Sequence, residues 1–379
     1  MKNSTKQIFI SATLTALTLL LVVVGYLMGR YSISNEFKTQ IDGVAHAFYL
    51  GNLLDNDKKK GAAKAYHDSA EALELFDDIS WGVLNVPTPY VGTAPMPGQY
   101  GVAHVNSMQF RSSNELEIPK PKNTFRIFIT GGSTAYGSGA PSDDRTIAGY
   151  LIDLIENSAL SDSETKYEIF TMANPAWSST HERIVIENRL SELQADLVIS
   201  FSGNNDVHWG LYAKDIFWFR SYPDENIVNT LNTAYKLGGG ESIPKVVEIT
   251  SGLVAPKIVA SRLLKNVKLS SFVLAESQAK YVFVLQPTLA VTAKALTERE
   301  KAMVVHADYF RQSYAQIDQQ LTSYRADNFE YINLAGAFDT ISNKENVFVD
   351  SYHFGDKGNE IIANGIYKGI KRLLINNVN

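Results

Sequence analysis

From Thr124 onward the chain alternates short, largely apolar runs with amphipathic stretches, and this alternation restricts the fold more than any other feature. Phe125–Thr130, Tyr167–Met172, Asp196–Phe201, Lys280–Leu285 and Phe329–Leu334 read as strands. Ile147–Asn157, Ser179–Leu193, Ala307–Arg325 and Ile361–Ile375 read as helices. Strands without a polar face belong in a parallel sheet covered on both sides by helices. The expected fold class is therefore α/β, with a central parallel sheet. In such sheets the site forms beyond the carboxyl ends of the strands.

Three strand ends carry chemistry. The first strand is followed by Gly131-Gly132-Ser133-Thr134, where glycines let a serine project from a tight turn. It lacks the Gly-Lys-Ser/Thr of a phosphate-binding loop, and alone it is just a turn. The third strand is followed by Ser202-Gly203-Asn204-Asn205-Asp206. An asparagine there can aim an N–H at a developing oxyanion, although Asx turns favour the same residues. Near the C-terminal end stands Asp350-Ser351-Tyr352-His353. A carboxylate three residues from an imidazole can hold one ring nitrogen protonated and leave the other as a base. The alternative is a capped turn with an exposed histidine.

Taken in chain order, the three segments resemble the SGNH (GDSL-like) hydrolase family. Gly131-Gly132-Ser133-Thr134 is similar to its first block, Gly203-Asn204-Asn205-Asp206 to the Gly-x-Asn-Asp block, and Asp350–His353 to the Asp-x-x-His block. Gly358-Asn359 and Ile361-Ile362-Ala363 also fit, as does the lead-in Val105–Arg111, which looks like that of envelope-associated members. The resemblance spans about residues 105–379 and implies a three-layer α/β/α sandwich of flavodoxin-like topology. It also implies catalytic roles for Ser133, His353 and Asp350, with an oxyanion hole of Ser133, Ala176 and Asn205. Gly132, Gly203, Asp206 and Asn174 would support it. Two departures stand out. Gly132 replaces the usual aspartate before the serine, and Ala176, in Asn174-Pro175-Ala176-Trp177, stands where the family has glycine. If that site needs positive φ, alanine strains it.

Ahead of this domain, Lys2 and Lys6 precede an uncharged run, Gln7–Gly29, whose centre is Leu17–Val24. As a helix, Ile8–Met28 reaches about 30 Å, a bilayer core. The exit, Tyr26-Leu27-Met28-Gly29-Arg30, is a poor cleavage site, so an uncleaved anchor is expected in place of a signal peptide. The basic residues place the N-terminus in the cytoplasm and the rest in the periplasm or outside the cell. The expected organisation is 1–29 as cytoplasmic tip and transmembrane anchor, 30–104 as a juxtamembrane helical region and Pro-rich linker, and 105–379 as the hydrolase domain.

Residues 207–275 read as an insertion between the third and fourth strands. Its aromatic residues form either a local hydrophobic cluster or a substrate platform of Trp209, Trp218 and Tyr222. His208 is expected to be structural, and His181 to sit at a helix start. Net charge is −5, from 35 Lys+Arg against 40 Asp+Glu, which disfavours a nucleic-acid partner. With no cysteine there is no thiolate metal site and no cysteine nucleophile, and no histidine pair has metal-ligand spacing supported by a third residue. Neither a cofactor nor a metal is expected. The expected activity is an esterase acting on O-acyl, chiefly O-acetyl, groups of an envelope carbohydrate, with polysaccharide synthesis or export proteins as partners. An acetyltransferase, a lipase or a non-catalytic assembly protein on the same fold are the alternatives.

Overall fold

The computed structural model describes residues 2–47, 56–77, 79, 83–158, 164–212, 231–240 and 252–375. Five parallel strands form the central sheet: β5 (Thr124–Gly131), β6 (Lys166–Ala173), β7 (Leu197–Ser202), β8 (Lys280–Leu285) and β9 (Phe329–Asn333). Their order is β6-β5-β7-β8-β9. The chain leaves β5 to one side for β6 and then crosses to the other side for β7. A crevice opens at that reversal, beyond the carboxyl ends of β5 and β7.

All eight residues of β5 are buried, as a strand covered on both faces must be. Its Ile127 and Ile129 face α5 (Ile147–Glu156) and α12 (Asp356–Ile375), which contribute Leu151, Ile155, Ile366 and Ile370. Phe128 faces the opposite layer of α6 (Ser179–Asn188), α9 (Pro256–Glu276) and α11 (Ala307–Ser323), with Val185, Leu263 and Ile317. The sheet is thus the middle of a three-layer α/β/α sandwich.

The stretch 207–275, read as an insertion, is helical at both of its described ends. Asn204–Leu211 is a helix, α7, that starts inside the crevice. Pro256–Glu276 is α9, the crossover that covers β7 and β8, with Val259, Leu263, Val267 and Leu274 buried. Its period-3.6 apolar stripe marks it as core.

Residues 31–47 continue α1 (Lys2–Ala47). All described residues from 56 on, apart from 231–240, belong to one compact unit. The Pro-rich stretch begins with two hairpins, β1–β2 (Asn85–Thr88, Gly92–Pro95) and β3–β4 (Gly98–Tyr100, Ala103–Val105). Helices α2 (Asn56–Ala63) and α3 (Ser69–Glu74) precede them. Ala62, Ala65, Tyr66, Phe76 and Ile79 form a small core of their own that closes over Val349, beside the Asp-x-x-His segment. The physical reason is that short helices cannot bury an apolar face alone.

α1 itself is one continuous helix. Its apolar side chains are exposed, Phe9 at 76%, and it is long and apolar enough to cross a membrane. Thr13, Thr15 and Thr18 each donate to a carbonyl four residues back, at 2.8, 3.0 and 2.9 Å, so their hydroxyls add no unpaired donor to the apolar stretch. A further helix, α8, covers 231–237.

Candidate active site

Ser133 opens the short helix α4 (Ser133–Tyr136) at the end of β5. Gly131 has φ 153°, and a Cβ there would lie 2.3 Å from the Phe201 carbonyl of the neighbouring strand, so only glycine can make this turn. The far end of α4 is held by Arg111, whose buried guanidinium donates to the Tyr136 and Gly137 carbonyls at 3.0 and 2.8 Å. The lead-in segment therefore braces the serine turn.

Ser133 Oγ lies 2.7 Å from His353 Nε2. On the ring's other side, Nδ1 lies 2.7 Å from Asp350 Oδ2. Asp350 Oδ1 accepts the Tyr352 and His353 amides, both at 2.7 Å. Burial disfavours both charges, but the His353 ring and these hydrogen bonds outweigh it and hold Asp350 below the usual carboxylate range. Burial likewise lowers His353, and the adjacent carboxylate more than reverses this, so the imidazole sits above its ordinary value. A hydroxyl, an imidazole and a carboxylate in this sequence can pass the serine proton to the ring while Asp350 stays ionised.

The second wall is the loop between β6 and α6. Asn174 donates its amide to the Gly131 carbonyl at 3.2 Å and its side chain to Asn85 Oδ1 at 2.6 Å. Ala176 takes φ 69°, the left-handed conformation that alanine disfavours by about 1–2 kcal/mol. Two side chains on successive turns of α7 hold this loop. Asn205 Nδ2 donates to the Trp177 carbonyl at 2.6 Å, and Trp209 Nε1 donates to the Ala176 carbonyl at 3.2 Å. Gly203, at φ 112°, turns β7 into α7. Asp206 accepts the Ser179 amide and hydroxyl at 3.0 and 2.5 Å, and so braces α7 against α6. His181 stands at the start of α6, in a capping box with Ser178.

The Gly132 departure has a steric cause. A Cβ at Gly132 would lie 2.3 Å from Asn205 Nδ2. Asparagine and a side chain at 132 cannot both occupy this space without movement.

Trp209, one of the three candidate platform residues, donates its indole N–H to the loop that carries Ala176. Trp218 and Tyr222 lie outside the described residues. The sequence reading missed a set of groups behind Asp350. Glu300 accepts the Val347 amide at 3.0 Å and Lys294 Nζ at 2.7 Å. The ion pair is fully buried, at 0% exposure for both side chains. Arg299 donates to the carbonyls of Phe348 and Val349. Thr297-x-x-Glu300 is a capping-box pattern, and it was the one legible sign of this support. Among the described residues no group of three or more His, Cys, Asp or Glu side chains could hold a metal ion.

No protein-family profile matches the chain, and no curated protein matches it. Among solved structures it is similar to an acetyl xylan esterase, AlAXEase (13% identity, 65% of this chain and 100% of that one, TM-score 0.39). It is likewise similar to the lipase Lip_vut3 from a goat rumen metagenome (12% identity, 65% and 97%, TM-score 0.42). A putative GDSL-like lipase from Parabacteroides merdae matches at 15% identity, over 65% and 95%, with TM-score 0.39.

Proposed function

We propose that this chain is a membrane-anchored serine esterase that removes O-acyl, chiefly O-acetyl, groups from an envelope or extracellular carbohydrate. The observation that carries the reading is the continuous relay from Ser133 Oγ through His353 to Asp350, with 2.7 Å at each step. His353 Nε2 takes the hydroxyl proton as Oγ bonds to the ester carbonyl carbon, and the C=O electron pair moves onto oxygen. The amide of Ser133, at a helix start where N–H groups lack intrahelical acceptors, meets that oxyanion together with the Ala176 amide and the second N–H of Asn205. Collapse breaks the ester C–O bond, and the leaving oxygen takes the proton from His353. Water repeats the cycle on the acyl-serine and regenerates the hydroxyl.

Two features support the finer reading. α1 supplies an anchor, and Lys2 and Lys6 favour a cytoplasmic N-terminus with the compact unit on the far side of the membrane. Outside the cytoplasm the acyl esters at hand are those of glycans and lipids, not acyl-CoA.

The test is turnover of p-nitrophenyl esters of increasing chain length, with labelling by a fluorophosphonate. The expected result is a maximum at C2, with Ser133→Ala abolishing both turnover and labelling. Wild-type turnover in Ser133→Ala removes the serine from the mechanism, and a maximum at C8 or longer replaces the carbohydrate esterase with a lipase.

A further inference from the structure

The turn of α7 after Asn205 carries His208, on the same helix face at i+3. Its Nδ1 lies 3.3 Å from the Tyr352 hydroxyl, and the two rings meet edge to face with centroids 5.4 Å apart. Tyr352 directly precedes His353 and donates its amide to Asp350. The His208–Tyr352 contact therefore joins the helix that carries the oxyanion donor to the loop that carries the base. On the outer side, Tyr212 packs against His208 with centroids 4.9 Å apart, and 56% of its surface is exposed.

Position decides which half of an ester lies here. The leaving oxygen must come within reach of His353 Nε2 to take its proton. That turns the alcohol half toward the base loop, and so toward Tyr352.

Chemistry decides what kind of alcohol. Burial, with the charge of nearby His306 adding to it, lowers His208 to about 4, and burial pushes Tyr352 up to about 12. Both groups are neutral at physiological pH. One imidazole nitrogen donates, the other accepts, and the phenol does both. A neutral pair of this kind suits the neighbouring hydroxyls of a sugar, while the exposed Tyr212 face suits its C–H surface. A long-chain alcohol would leave the outward hydrogen-bonding capacity of the pair unused, at a cost, and a phosphorylated one would find no opposite charge in it.

We propose that His208, Tyr352 and Tyr212 form the subsite that holds the sugar ring bearing the scissile ester. The assignment deepens the esterase reading and rests on Ser133 attacking that ester.

The experiment uses the full chain and reads two quantities. The first is the ratio of kcat/KM on acetylated xylobiose, chitobiose and mannobiose to kcat/KM on p-nitrophenyl acetate. The second is calorimetric binding of the same sugars to the Ser133→Ala protein, which needs no catalysis. His208→Ala should lower the ratio at least tenfold for the preferred sugar, and Tyr352→Phe about fivefold, both mainly through KM. Either change placed in Ser133→Ala should weaken sugar binding to a similar degree. A parallel loss on both substrates, or an unchanged ratio, overturns the subsite, as does failure of Ser133→Ala to bind any of the three sugars. If the wild type hydrolyses no acetyl ester, the esterase reading fails by itself. Sugar binding that depends on His208 would then still support the subsite.

Discussion

Two loops flank Ser133: residues 347–354, the base loop of the proposed mechanism, and residues 174–178, its oxyanion loop. They take their shapes from different sources. The base loop is gripped by charge. Glu300 and Arg299 hold its amides and carbonyls, and the charge of Glu300 is balanced by Lys294 where neither is exposed. The oxyanion loop is gripped by two neutral hydrogen bonds from α7 and keeps an alanine at positive φ. A buried charged clamp is all or none, because removing one member strands the other in a low dielectric. A neutral clamp is graded, since each bond is worth only about 1 kcal/mol net. On the proposed mechanism, the loop that orients the carboxylate has the rigid support, and the loop that would meet charge only in the transition state has the adjustable one.

That contrast can be broken at its strongest point first. Glu300→Ala leaves Lys294 buried without its partner and should cost about 3–5 kcal/mol of stability, read by urea unfolding. A variant as stable as the wild type would mean the charged clamp is not a support.

Asn205→Ala should lower kcat by about 10²–10³ through loss of an oxyanion donor. Its stability should fall by only about 1 kcal/mol, for the bond to the Trp177 carbonyl. An equal loss of folding and activity would erase the difference between the loops.

The next effect is about tenfold per pH unit on the acid side. His353 must be neutral to act, and its value is raised because the Asp350 charge outweighs burial. Activity should therefore climb with pH through a midpoint above the usual histidine value, then level off. The sign for stability is opposite: the pairing supports folding fully below the unfolded histidine value and is lost as pH rises through the folded one. Asp350, lowered, contributes above the unfolded carboxylate value and loses its contribution as pH falls through its folded value. A flat rate profile from pH 5 to 8 contradicts a histidine base.

The smallest effect sharpens the comparison. Trp209→Phe keeps the ring and removes one neutral hydrogen bond to Ala176. It should lower kcat about five- to tenfold with KM unchanged. A change confined to KM would return Trp209 to the role of substrate platform.

The layered fold was legible because it depends on local periodicity. Runs such as Lys280–Leu285 have no polar face, so they can only be central strands. The α9 helix was missed because the run 256–276 carries Asn266, Ser270 and Ser271 within its buried stripe and follows a long aromatic segment that hides its start. The packing of α2 and α3 onto Val349 was illegible for another reason. Their Ala-rich faces are too short to show a period, and their partner lies far along the chain.

The sequence by itself determined which side chains can do chemistry and at which strand ends they emerge, because a parallel sheet sends every carboxyl end to one edge. The tertiary structure alone decided how Ser133 meets His353, 220 residues away, at 2.7 Å. It also decided that Gly132 makes room for Asn205, that Trp209 holds Ala176, and that a buried Lys294–Glu300 pair stands behind Asp350. These are matters of a few tenths of an ångström between segments brought together by the sheet. Periodicity in sequence sets direction and face, whereas contact distance and burial arise only once separate segments share one packed interior.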